Sequence, residues 1–131
     1  MYPQARRIQL LVVVAVLTIA VNAGAAGEFS LRRSEATIRD RILDEVPLGS
    51  SMSQVEQQIA RHGWKLGQVS TDRGFEDQRM RPSTVTGAKS IDAWLGDYRG
   101  FLFMVDVRVF WGFDVNGALI DVWVRKTEDS L

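Results

Sequence analysis

The chain has 131 residues, with 16 basic and 16 acidic side chains, one histidine and no cysteine. The missing cysteine excludes disulfides, thiolate metal sites, a cysteine nucleophile and a lipid-modified cysteine behind an export signal. Beyond Gly27 stand 14 basic and 16 acidic residues, a net −2 that offers no basic face to nucleic acid.

In chain order, Arg6 and Arg7 precede an apolar run from Ile8 to Val21, and Ala23-Gly24-Ala25-Ala26-Gly27 follows. A positive start, an apolar middle and small residues at the end are the three parts of a secretory signal. The run is 14 residues long, short of the ~20 a spanning helix needs. Cleavage after Ala25 is the expected outcome, which makes the mature chain periplasmic or secreted. A retained inner-membrane anchor is the alternative, and only then does the chain have a membrane partner. Residues 1–25 are thus signal or anchor, 26–33 a flexible lead-in, and 34–131 one domain by length.

Ser34 reads as an N-cap, and Ala36, Ile38, Ile42, Leu43 and Val46 fall near helical spacing. This helix ends before Pro47, which disfavours helical geometry at Val46. Ser51-Met52-Ser53-Gln54 has the form of a capping box and opens a second helix. Met52, Val55, Ile59 and His62 line its apolar side, and Gly63 takes the left-handed position beyond its end. Trp64 to Val69 reads as a short strand. Ser70 to Lys89 is polar, broken by Gly74, Pro82 and Gly87, and long enough to suggest a binding loop. Arg79 and Arg81 follow Glu76 and Asp77 there, as in a solvated mixed-charge loop. Ile91 to Tyr98 is a further strand, turning at Arg99-Gly100.

From Phe101 to Phe113 every odd position is apolar, the period of a half-buried antiparallel strand. Asn116-Gly117 signals a hairpin. On the return strand the apolar set is Ala118, Ile120, Val122 and Val124. Pairing Phe113 with Ile120 sets Trp111 against Val122 and Val109 against Val124; a four-residue loop, with Phe113 opposite Ala118, keeps the same parity. The fold class is therefore α+β: two N-terminal helices on a three- to four-stranded antiparallel sheet that ends in a long β-hairpin.

Two stretches carry a family resemblance. Val46-Pro47-Leu48-Gly49-Ser50-Ser51-Met52-Ser53-Gln54-Val55, ending at Gly63, resembles the helix start of the SmpA/OmlA (BamE-like) small envelope proteins. Phe113-Asp114-Val115-Asn116-Gly117-Ala118-Leu119-Ile120-Asp121-Val122 resembles their closing hairpin. The resemblance implies a BLIP-like fold in a non-catalytic protein of the bacterial cell envelope, with Gly49, Ser51, Val55, Asp114 and Gly117 as fold-defining positions. This chain lacks the family's lipidated cysteine, so lipid anchoring and the family's role in barrel assembly do not carry over.

The chemistry-bearing residues have simpler uses. His62 has no second histidine or cysteine to share a metal, and reads as a capping or half-buried residue at a helix end. Ser50, Ser51 and Ser53 read as helix-entry residues. Asp92, Asp97, Asp106, Asp114 and Asp121 fall on outward strand positions or in turns, with Asp114 closing its turn and Asp121 facing Arg108 or Arg125. No cofactor, no metal and no catalytic residue is expected. Trp111 reads as core and Trp64 as packing where helix meets strand. Trp123, Leu119 and Phe110 share the outer face, either as a cross-strand pair covered by other segments or as an exposed anchor patch for another envelope protein. The patch is the candidate protein-binding site, with an inhibitor-like or small-ligand-binding module as the alternative and a small envelope enzyme as a remote third.

Overall fold

Two capped helices lead the described part of the chain, residues 29–130 of a computed structural model. The signal or anchor expected over residues 1–25 lies outside the described residues. Helix α1 spans Glu35–Glu45, and the Ser34 hydroxyl accepts from the Thr37 N–H at 3.1 Å. Helix α2 spans Met52–Arg61. The Gln54 N–H donates to the Ser51 hydroxyl at 3.2 Å, and the Ser51 N–H donates to the Gln54 side chain at 2.8 Å, so both halves of the capping box form. Gly63, at φ +67°, lets the chain leave α2 with the Trp64 N–H bonded to the Ile59 carbonyl.

Six strands follow: β1 Lys65–Ser70, β2 Phe75–Asp77, β3 Thr84–Thr86, β4 Lys89–Arg99, β5 Phe103–Phe113 and β6 Leu119–Ser130. Four of them form an antiparallel sheet in the order β1-β4-β5-β6, and β2 pairs with β3 in a separate two-stranded ribbon. The class is α+β.

The core lies between the helices and one face of the large sheet. Val105, Val107, Val109, Trp111 and Phe113 are buried in alternation along β5. Of these, Val107, Val109, Trp111 and Phe113 share one core with Ile38, Ile42, Val55 and Ile59 from the helices and Ile91, Val122 and Val124 from the flanking strands. Among the positions singled out by resemblance, Val55 is fully buried, and Gly49 and Gly117 adopt positive φ. The Asp114 carboxylate accepts from the Asn116 and Ala118 N–H groups, closing the last turn as expected.

The closing register differs from both readings of the hairpin. Trp111 faces Val122 and Val109 faces Val124, but Phe113 pairs with Leu119 rather than with Ile120 or Ala118. A bulge between Gly112 and Phe113 makes Ile120 the extra residue. It turns Leu119 into the core at 2% exposure and Ile120 outward at 45%. The cause lies in the loop before α2: the Leu119 N–H donates to the Ser50 carbonyl and its own carbonyl accepts from the Gly49 N–H, both at 2.8 Å.

The lead-in is packed rather than loose over its described part. The Phe29 ring meets His62 edge-on at 4.7 Å and Trp64 at 5.1 Å. The Lys126 ammonium donates to the carbonyls of Leu31 and Arg33 and to the Tyr98 hydroxyl.

Candidate functional site: the outer face of the sheet

The segment read as a binding loop is a strap across the outer face of the large sheet. It carries β2 and β3, and Phe75 is its anchor. The Phe75 ring stands 5.8 Å from Phe110 and 6.2 Å from Trp123, which stack on one another at 5.1 Å across β5 and β6. The approach needs Gly112 beneath it, because a Cβ there would lie 3.0 Å from the Phe75 ring. Charges fasten the strap. Arg79 pairs with the buried Asp77 at 2.8 Å and with Asp121 at 3.0 Å, and Arg39 of α1 reaches Asp121 at 3.1 Å. The Arg79 guanidinium lies 5.4 Å above the Trp123 ring, and Arg125 stacks 4.9 Å from Phe110.

This arrangement corrects the expected anchor patch. Trp123 is 7% exposed under the strap and Leu119 is 2% exposed on the core side of β6. Phe110 is half-buried between Phe75 and Arg125. Phe110, Leu119 and Trp123 hold the molecule together instead of facing a partner. Asp121 is likewise taken by Arg39 and Arg79, not by Arg108 or Arg125. Arg79 is the strap's clamp, paired on both sides although 40% of its side chain stays exposed.

The strap covers only one half of the face. The cross-strand rows beyond it, Trp94–Arg108 and Asp97–Asp106, remain open. Arg108 pairs with Asp92 at 3.1 Å, and the Trp94 indole N–H donates to Asp106. The Gln68 N–H donates to Asp92 where β1 bulges around Gly67. On one side of the Asp92–Arg108 pair, Lys65, Leu66, Gly67, Trp94, Asp106 and Arg108 line a depression of about 300 Å³. On the other side a depression of about 350 Å³ runs between Gln68, Arg73, Glu76, Asp92 and Phe110. The open half is therefore an aromatic residue set among paired charges. The sequence reading placed these aspartates outward and stopped there. Period-two parity already puts Asp106 and Arg108 on one face, but the bulge at Gly96 hides that Trp94 joins them.

The remaining candidates sit elsewhere. His62 lies under the helices with a side chain 3% exposed, and its Nε2 meets Glu45 at 2.6 Å. It stacks on Trp64 at 4.3 Å between ring centroids. Glu45 also accepts from the buried Gln58 amide at 2.8 Å, which joins the end of α1 to α2. Ser50 donates to the Pro47 carbonyl, and Ser51 caps α2. Among the described residues no group of three or more His, Cys, Asp or Glu side chains could hold a metal ion. No helix among them is long and apolar enough to cross a membrane.

A scan against family models, a search of curated proteins and a search of solved structures find no match to this chain.

Proposed function

We propose that this chain is an exported, non-catalytic protein of the bacterial cell envelope that binds another envelope protein through the open half of its outer sheet face. One observation carries the reading. A tryptophan and an arginine, the residue types most enriched where proteins bind, sit side by side on the sheet beyond the strap, each partly exposed. Arg108 is already paired with Asp92 and the Trp94 indole N–H with Asp106, so a partner meets side chains held in place, at low entropic cost. The N-terminal pattern of arginines, apolar run and small residues supports export. The likeness of the α2 entry and the last turn to the SmpA/OmlA proteins supports the envelope. So does the finer architecture, a two-helix layer behind a sheet closed by a long hairpin.

The test is a photo-crosslinking side chain placed at the exposed Lys65, which lines the depression beside Trp94 and Arg108, in living cells, with the same group at the exposed Ser53 of α2 as control. The reading expects one discrete envelope-protein adduct from position 65 and none from 53, with Trp94→Ala reducing the yield about tenfold. Equal labelling from both positions would remove the basis for this face. The two charged depressions favour a second reading, a small-ligand-binding or inhibitor-like module. That reading expects a small polar ligand to raise the melting temperature, with Arg108→Ala abolishing the shift.

A further inference from the structure

Three successive exposed large apolar residues stand in and beside the turn between β4 and β5, and among the described residues Phe101 is the most exposed large apolar side chain. Phe101 is 95% exposed, Leu102 60% and Phe103 39%. The Gly100 N–H donates to the Phe103 carbonyl at 2.8 Å, so the turn is closed and holds its side chains outward. Phe101 and Phe103 continue the apolar parity of Val105 and Val107, but they extend past the core that Val107 shares with the helices. Three successive large apolar side chains in water are costly, and folded proteins keep them there for a use.

We infer that this tip inserts into the surface of a lipid bilayer. The chemistry behind it is layered as the interface is: Phe101 and Leu102 at the apex, then Arg99 and Tyr98, with Arg32 stacked 4.8 Å from the Tyr98 ring. Arg32, Arg33, Arg99 and Lys126 stand against Asp97, Glu128 and Asp129, so apolar insertion rather than anionic attraction carries the contact. The chain before Phe29 points to the same occupant. Only seven residues, Asn22 to Glu28, separate the apolar run Ile8–Val21 from Phe29. A chain of that length reaches at most roughly 24 Å. Phe29 and Leu95 line one depression, and Leu95 stands six residues before Phe101, at most about 20 Å of extended chain away. The run and the tip can therefore share one bilayer. The inference rests on the alternative reading in which Ile8–Val21 is retained as an anchor, not on the cleaved signal, and is independent of the partner on the outer face.

The test uses the full chain, which has no cysteine to remove. Leu102→Cys carries an environment-sensitive dye at the tip, and Val115→Cys carries it at the opposite end of β5. Each protein is bound to phosphatidylcholine vesicles doped with bromolipid. Expected are flotation of both, a blue-shifted and bromolipid-quenched dye at 102, and an unquenched dye at 115. Adding Phe101→Ser should lower the quenched fraction at equilibrium by about tenfold, and Phe101→Leu should restore most of it. Flotation with an unquenched dye at 102 overturns the tip assignment while leaving the N-terminal reading intact. A chain that does not float fails both. A dye at 102 already shielded without lipid, with doubled mass in solution, assigns the tip to a second copy and overturns the bilayer.

Discussion

Asp77 and Arg79 lie two apart on a polar stretch, where such pairs are ordinarily solvated. Here the carboxylate is buried, receives the Arg79 backbone N–H and side chain, and meets the Thr86 hydroxyl. The hydrogen bonds from Arg79 hold the Asp77 carboxyl below its ordinary value of 3.8 against the opposing effect of burial. A folded value below the unfolded one stabilises the fold above the unfolded value, and this stabilisation is lost as pH falls through the depressed folded value. Acidification from pH 5 to pH 2 should therefore loosen the strap and shift Trp123 emission to the red before the core unfolds. Asp77→Asn should abolish that early step and lower stability by about 1–2 kcal/mol, because Arg79 keeps 40% of its side chain in water. Tryptophan emission against pH for both proteins checks it; identical curves would mean that the pair does not hold the strap.

The strap and the bulged hairpin depend on a few contacts each. Phe75 is the strap's one buried large apolar residue, seated on Gly112 between Phe110 and Trp123. Phe75→Ala should cost about 3 kcal/mol and make the strap cleavable by protease while β5 and β6 stay protected. In the hairpin, the bulge assigns neighbouring residues opposite fates. Leu119→Ala should cost about 3 kcal/mol and Ile120→Ser less than about 1, the reverse of what simple alternation implies. Denaturant midpoints decide between the two registers. Helix α2 was readable throughout: Ser51, Gln54, Val55 and Gly63 act locally, and local geometry is what spacing encodes. Ser51→Ala should cost about 1 kcal/mol by the same measurement. The strap was illegible for the opposite reason. Its strands are three residues each, and its placement rests on contacts with residues more than thirty positions away, Phe110, Asp121 and Trp123.

For the molecule as a whole, the two faces of the sheet do different work. The inner face is filled by the helices, and half of the outer face is closed by the strap. What remains uncovered is the Trp94–Arg108 surface and the Phe101–Phe103 tip. The double substitution Trp94→Ala and Arg108→Ala should leave the melting temperature within about 3 °C, since both side chains face outward, yet remove the crosslink proposed for this face. A large fall in melting temperature would make the pair structural.

Parity, caps and turn residues in the chain were enough to define two helices, an antiparallel sheet and a core face containing Val107, Val109 and Trp111. Each of these follows from a period or a spacing within one element, where neighbours in sequence are neighbours in space. The fates of Trp123, Leu119 and Asp121 were of another kind. All three had outward parity. Whether outward meant solvent, strap or core depended on where Phe75 and Arg79 fold back and on how the Gly49–Ser50 loop bonds to Leu119. Alternation states which side of a strand a residue takes; what covers that side is settled by segments distant in sequence, through packing that no local pattern contains.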